Sequence, residues 1–389
     1  MAEGLHVLWL PSWYPSGPQD MNGSFFREQC RALAEAGVQV GVLAPHMSAL
    51  LEREAAPSLP IAPLDEDGVQ VLRFVAPQII QSTRVLSTWR SVPALMAAFD
   101  AYVQANGCPD VIHAHSLYPG AFLAAALSTR TGIPWILTEH RSLSHMRVRT
   151  PLGAASERRV VASAARRTGV SIGHAAHLEK RFGSKAGVWE YLPNLLPDMD
   201  LPAARARREG FVIGHLSVLD PVKRVDLILR AFEGLHPGCP EARLRIGGPL
   251  DTPFGAQVQT LVAKSPAREA VELVGSVSRA DIGRFYADID LFVMPSDSES
   301  FGVAFTESLA AGTPVVATAT WGGLTIVGPG DGSIVPIGDC DRLAAAIREH
   351  VEHPTTADER RSRAQRCMAR FGKEAFASRW LSVYEEVVA

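Results

Sequence analysis

Residues 293–318 read VMPSDSESFGVAFTESLAAGTPVVAT, and this stretch decides the fold. Leu291 to Met294 is a short apolar run of the kind buried in a parallel sheet. Pro295 to Ser300 is polar and turn-rich, and Gly302 to Ala311 is mostly good helix formers with apolar residues on one face. Gly312 stands where a left-handed helix cap belongs, Pro314 stops the helix, and Val315-Val316-Ala317 opens another strand. The order is strand, loop, helix, short loop, strand.

Two carboxylates punctuate this unit, Glu299 before the helix and Glu307 inside its second turn. A helix start that follows a strand is a ready anion site, because its first amides lack partners and its dipole points positive end outward. A carboxylate in the second turn would not hold a phosphate, but it can accept from a pair of sugar hydroxyls such as a ribose diol. Glu299, one loop earlier, is placed to reach a second sugar beyond the phosphates. The order of groups suggests a nucleotide sugar. The plain alternative is that both acids are solvated helix-end carboxylates.

The segment SESFGVAFTESLAAGTPVVAT resembles the Glu-x7-Glu signature of retaining glycosyltransferases of family 4, with the Ser-Glu-x-Phe-Gly opening and the Ala-x-Gly-x-Pro-Val-Val-Ala close in register. The resemblance implies the GT-B fold: α/β, two doubly wound Rossmann-like domains facing each other across a cleft, with a C-terminal helix crossing back to the first domain. It also implies transfer of a sugar from a nucleoside diphosphate donor, UDP- or GDP-linked. On this reading Glu307 holds the ribose and Glu299 orients the donor sugar. Ser300, Phe301, Gly302 and Val303 complete the donor site at the helix start.

Composition agrees with a globular protein that has sizeable cores. The chain has 389 residues, enough for two or three domains, and 47% are hydrophobic. A formal net charge of −3 gives no whole-chain argument for nucleic acid. Five scattered cysteines, with no CxxC or Cys/His cluster, argue against a zinc site or a disulfide framework and fit a reducing cytoplasm. Leu5 to Leu10 is too short for a signal peptide core, and no run approaches the roughly 18 apolar residues of a membrane span. No metal motif is present, so no cofactor is expected.

Residues 5–46 read as strand, loop, helix and strand, with Gly37 closing the helix. The loop lacks Gly-x-Gly-x-x-Gly, which argues against a dinucleotide dehydrogenase. WLPSWYPS and NGSFFREQ resemble the opening of family 4 enzymes, where a glycine faces the donor diphosphate; here it is Gly23. The alternative is an ordinary turn glycine. Prolines 57, 60 and 63 mark a loop, Val69 to Val75 a strand, and Ile79 to Tyr102 helical stretches.

DVIHAH, residues 110–115, is a strand whose carboxyl end carries His115, and Glu139-His140 ends another; ligand-facing groups gather at such ends. His113 and His115 are expected on opposite faces, which makes a shared metal improbable. A lone histidine here is more often a packing residue. DVIHAHSLYPG resembles the family's His-bearing loop, which makes His115 a sugar-site residue. From Arg141 to Arg167 there are seven arginines (141, 147, 149, 158, 159, 166 and 167). They read as a solvated helix face or as a surface for anionic lipid at the inner membrane face. Val170 to Gly173 and Val188 to Tyr191 close the first domain.

The second domain opens with a buried strand, Phe211 to Val218, then a loop to Lys223 and a helix from Arg224 to Leu235. The family carries an arginine and, five residues later, a lysine on the donor phosphates. Lys223 matches the lysine, but the arginine position holds Val218, leaving Arg224 or His215 to substitute. Val271 to Val277 is a strand and its exit; in the family this exit packs on the nucleobase through backbone groups, and the resemblance makes Val277 the candidate. Trp321-Gly322-Gly323 reads as a glycine-rich loop near the donor. Arg360, Arg361, Arg363 and Arg366 read as a solvated helix face, and Lys373 to Val388 as a final amphipathic helix.

The resulting assignment places an acceptor-binding domain at 1–196 with a returning helix at 373–389, and a donor-binding domain at 197–372. Glu299, His115 and Lys223 are the catalytic candidates. The acceptor is a hydroxyl of a sugar or lipid-linked glycan, in cell-surface polysaccharide or glycolipid synthesis. The other readings are a nucleotide-sugar epimerase on the same fold, or a non-catalytic sugar-nucleotide scaffold, which Val218 suggests.

Overall fold

The computed structural model describes residues 4–17, 20, 22–49, 63–78, 84–142, 150–202 and 210–389. Arg147, Arg149, Pro57 and Pro60 lie outside these. The chain divides into two compact units, one of residues 1–195 and 373–389, the other of residues 196–372.

The first unit contains β1 (His6–Pro11), β2 (Gln39–Ala49), β3 (Leu64–Glu66), β4 (Val69–Gln78), β5 (Val111–His115), β6 (Trp135–Glu139), β7 (Arg166–Gly169) and β8 (Glu190–Tyr191). They form one sheet in the order β3-β4-β2-β1-β5-β6-β7-β8, parallel except at β3·β4. Its helices are α1 (Ser24–Glu35), α2 (Arg84–Asn106), α3 (Phe122–Thr131), α4 (Pro151–Ser163), α5 (Ile172–Phe182) and, from the chain end, α13 (Lys373–Val388). Every residue of β1 is buried, as its unbroken apolar run requires of a strand covered on both faces. One core face holds Val7, Trp9, Phe26, Val40 and Val42 with Phe376, Trp380 and Tyr384 of α13, so the terminal helix belongs to this unit's core.

The chain enters at β1, proceeds to β2 on one side, and returns to β5 on the other. The strand order therefore reverses between β1 and β5, where Pro11 pairs with His115. Open α/β sheets bind ligands at such a reversal, outside the carboxyl ends of the strands.

The second unit repeats the plan. It contains β9 (Val212–Leu216), β10 (Arg243–Gly247), β11 (Val271–Gly275), β12 (Leu291–Met294), β13 (Val315–Thr318) and β14 (Gly332–Val335). The order is β11-β10-β9-β12-β13-β14, all parallel, with the reversal between β9 and β12. Around it lie α6 (Val225–Leu235), α7 (Pro253–Lys264), α8 (Ile282–Ala287), α9 (Val303–Ala310), α10 (Trp321–Ile326), α11 (Cys340–Glu352) and α12 (Ala357–Phe371).

Three expectations fail here. Of Arg360, Arg361, Arg363 and Arg366 on α12, only Arg361 stands on a solvated face, paired with the exposed Asp358; the other three turn to the protein, although the Thr356–Glu359 capping box is the local signal of a helix start. Arg363 is only 5% exposed and donates to the carbonyls of Gly312 and Gly330. Arg360 donates to the carbonyls of Ala287, Ile289 and Ala311, and Arg366 pairs with the buried Asp331. The row satisfies carbonyls left open where α8 and α9 end. Trp321 to Gly323 begins a helix, α10, whose Thr320 cap accepts from the Gly323 amide. The arginines at 141–167 do not share one helix: Arg158 and Arg159 are exposed on α4, whereas Arg166 and Arg167 stand on β7. Arg166 is paired with Glu190 and Glu386. Among the described residues no helix is long and apolar enough to cross a membrane.

Candidate functional site

Both loops at the reversal of the second sheet carry candidate residues. After β9 the chain passes Val218, 69% exposed, and makes a short turn at Pro221–Lys223 before α6. After β12 it runs through Asp297 and Glu299 to the start of α9. The Asp297 amide donates to the Val222 carbonyl at 2.9 Å, so the loops are tied together. Lys223 Nζ then forms an ion pair with Glu299 Oε1, with both side chains largely buried.

Gly302 caps α9 at φ 91°, and a Cβ there would stand 2.4 Å from the Phe305 ring. Only glycine fits, and it offers no capping side chain to the first amides of the helix. Phe301 is buried against Phe371, Ser300 is half-buried, and Val303 opens the helix. The Gly322 amide donates to the Glu299 carbonyl at 2.9 Å, and a Cβ on Gly322 would meet the Phe301 carbonyl oxygen at 2.0 Å. The glycines of α10 thus let it approach the loop that carries Glu299.

The two side chains expected to replace the missing arginine are both engaged by protein partners. Arg224 donates through Nε and Nη2 to both oxygens of Asp226, at 3.0 Å each, and through Nη1 to Asp297 at 3.1 Å. Those hydrogen bonds, the Asp226 pair foremost, hold its pKa above the ordinary arginine value. His215 is fully buried between the Val293 carbonyl at 2.9 Å and Ser217 Oγ at 2.8 Å. Burial lowers its pKa to about 4, so it is neutral at pH 7.

Glu307 is 7% exposed. Tyr286 donates to its Oε2 at 3.2 Å and Arg279 Nη1 to its Oε1 at 3.1 Å. Arg279 also lines a cavity of about 610 Å³ with Asp198, Met199, Asp200 and Ala280, within the size range of ligand pockets. Val277 is half-buried beyond the end of β11.

In the first unit His115 is 0% exposed. Its ring lies 3.8 Å from Trp9 and 5.1 Å from Phe26 by centroids, and its Nδ1 meets His140 Nε2 at 3.0 Å. Burial holds both imidazoles far below the usual range, His140 at about 3, so both are neutral at pH 7. Two neutral rings carry two N–H protons between them, and one lies in the shared bond. The outer nitrogens, His115 Nε2 and His140 Nδ1, therefore present one donor and one acceptor, and among the described residues neither has a partner. The buried Glu139 carboxylate accepts from the amides of Leu117, His140 and Arg141 at 2.7–2.9 Å, which fixes the loops around the pair.

His113 and His115 share a face of β5, contrary to the expectation of opposite faces, with ring centroids 4.0 Å apart. Residues two apart on a strand point the same way. His113 still has both nitrogens engaged, with Tyr384 and Thr138 at 2.7 Å each. Among the described residues no group of three or more His, Cys, Asp and Glu gathers for a metal. Gly23 caps α1 at φ 82°, and a Cβ there would meet Trp13 at 2.9 Å, so its backbone and its packing both require glycine.

Family models match nearly the whole of this architecture. Residues 23–194 match the "Glycosyl transferase 4-like domain" and residues 201–367 match "Glycosyl transferases group 1". The chain is a glycosyltransferase of the family 4 type. It is 28% identical to D-inositol 3-phosphate glycosyltransferase 1 of Catenulispora acidiphila, over 99% of this chain and 95% of the relative. Among solved structures it is similar to sucrose-phosphate synthase from Thermosynechococcus elongatus, with a TM-score of 0.78 at 20% identity, covering 98% of each chain. It is also similar to HepE of Anabaena in complex with UDP and glucose, with a TM-score of 0.71 at 17% identity, covering 98% of this chain and 100% of that one. These likenesses establish the GT-B fold.

In this glycosyltransferase the second unit brings Lys223, Glu299, Ser300, Phe301, Gly302 and Val303 to one sheet reversal. Glu307 lies further along α9, and Val277 follows a different strand. The sequence reading missed Tyr286 and Arg279 as partners of Glu307, and His140 as the partner of His115. Tyr286 lies in an ordinary apolar helix, RFYAD, and no local pattern marks it.

Proposed function

We propose that this glycosyltransferase moves a sugar, with retention at the anomeric carbon, from a nucleoside diphosphate to a hydroxyl of a sugar, polyol or lipid-linked glycan. The observation that carries the reading is the division of labour on either side of the start of α9. Glu299 is paired with the lysine at the sheet reversal, and Glu307 is held by a phenol and a guanidinium one turn into α9. Between them lie the uncapped amides that suit a diphosphate. HepE is described with UDP and glucose bound, and the Catenulispora relative is named for an inositol phosphate, a polyol acceptor. Both names favour a uridine donor and a polyhydroxyl acceptor.

In the proposed step the acceptor oxygen bonds to the anomeric carbon on the face from which the diphosphate departs. The acceptor proton passes to the departing phosphate oxygen. Lys223 and the α9 amides stabilise the charge that builds on that phosphate, a preorganised electrostatic role. Glu299 orients the sugar. His115, through the donor and acceptor it shares with His140, binds a hydroxyl.

Glu307→Ala tests the ribose assignment. It should weaken nucleoside diphosphate binding by about 1–3 kcal/mol through the loss of charged hydrogen bonds. Calorimetry that shows unchanged affinity in this variant would count against placing the ribose there.

A further inference from the structure

A carboxylate rotates easily about its last side-chain torsion, and a cis-diol needs both of its oxygens in one plane. Something must therefore hold Glu307 before the ligand arrives. Tyr286 and Arg279 both donate to it, and they differ in burial. Arg279 stands on a short surface turn, 30% exposed, and divides its guanidinium between Glu307 and the Asp198 carbonyl at 2.7 Å. Tyr286 is 0% exposed. Its ring packs edge-on against Phe292 at 5.2 Å and Phe285 at 5.6 Å, and its carbonyl accepts from Thr313 Oγ1 at 2.7 Å. With ring and backbone fixed, the phenol oxygen is held within hydrogen-bond reach of Glu307 Oε2.

We propose that Tyr286 is the positioning residue for Glu307, presetting its carboxylate to receive the 2′,3′-diol of a nucleoside diphosphate. This rests on the ribose reading of Glu307. The phenol acts as the donor: burial, then the nearby Glu307 carboxylate, push its pKa well above the usual value, so it keeps its proton. Arg279, partly exposed and shared with the Asp198 carbonyl, is the contact a diol can displace; Tyr286 stays. A buried tyrosine whose hydroxyl merely needs a partner would look similar at rest. The two cases differ in what happens when the hydroxyl is removed. A packing tyrosine affects every nucleotide equally, whereas a positioning tyrosine affects only those with a diol.

The test is a calorimetric comparison of the full chain, Tyr286→Phe and Glu307→Gln. The probes are whichever of UDP, GDP and ADP binds most tightly, and its 2′,3′-dideoxy analogue. Tyr286→Phe should weaken the ribonucleotide about tenfold and leave the dideoxy analogue unchanged. Glu307→Gln should abolish most of the preference for the ribonucleotide. Tyr286→Met, which also lacks the hydroxyl, should show the same selective loss and serves if the phenylalanine variant does not fold. Equal weakening of both probes, or no weakening, in the Tyr286 variants overturns the positioning role while the ribose reading stands. A full ribonucleotide preference in Glu307→Gln overturns the ribose reading and this proposal with it.

Discussion

Replacing Lys223 by alanine should lower kcat/KM for sugar transfer by about a hundred- to a thousandfold, the usual result of removing one preorganised charge or donor from a developing anion. The size follows from what surrounds the lysine. Where the resemblance to family 4 leads one to expect a phosphate-site arginine stands Val218, which is exposed and carries no charge. Arg224 is committed to Asp226 and Asp297, and His215 is neutral in its burial. On the proposed reading, Lys223 is therefore the cation of these two loops that meets the diphosphate. Its pairing with Glu299 keeps it in place before the donor binds. Removing it also leaves the Glu299 carboxylate beside the phosphates without its cation, which adds repulsion to the lost attraction. Lys223→Arg should recover only part of the rate, because a planar fork is a different donor from a compact ammonium. The check is steady-state kinetics beside thermal midpoints. A fall of less than tenfold in a folded Lys223→Ala protein would contradict the assignment.

Acid should unfold the first unit well before it affects a typical domain. His113, His115, His140 and His174 all have pKa values lowered mainly by burial, to about 3 for His140 and about 4 for His174. A free imidazole titrates near 6.5. Below that pH the unfolded chain takes up a proton at each of these positions, and the folded unit does not. Their contribution to stability is therefore fully present above about pH 6.5 and is lost as pH falls toward 4. The loss is at most about 1.4 kcal/mol per pH unit for each histidine that must charge. Glu139 runs the other way, since burial raises its carboxyl, but it is one group. Six of the seven tryptophans belong to this unit, so their fluorescence reports it. Urea midpoints measured between pH 7.5 and 5 should fall steeply. A stability that stays flat over that range would show that the four rings are not held neutral.

The same residues mark where the sequence could be read and where it could not. The unit from β12 to β13 was legible because its signals are local: Gly302, Gly312 and Pro314 each fix the backbone within a few residues, and the two glutamates bracket the start of one helix. Arg363 was not legible. The carbonyls it satisfies, at Gly312 and Gly330, are 51 and 33 residues away, and a charged helix face looks the same whether it meets water or carbonyls. Trp321-Gly322-Gly323 looked like a loop because glycine is a poor helix former. The structure gives the other reason for glycine there, the close approach of the Phe301 carbonyl. Tyr286 is separated from Glu307 by 21 positions and a strand, so only the fold brings them together. The histidine faces are a different case: a period of two places His113 beside His115, and the pattern was there to be used.

The account stands most directly on nucleotide recognition by the second unit. The decisive measurement is a calorimetric titration of the full chain with UDP, GDP and ADP and their common sugar derivatives. The account predicts that one base binds one site per chain and that binding weakens in both Lys223→Ala and Glu307→Ala. If no nucleoside diphosphate binds the folded wild-type chain, or if binding is indifferent to both substitutions, the donor site is not at Lys223 and Glu307 as proposed.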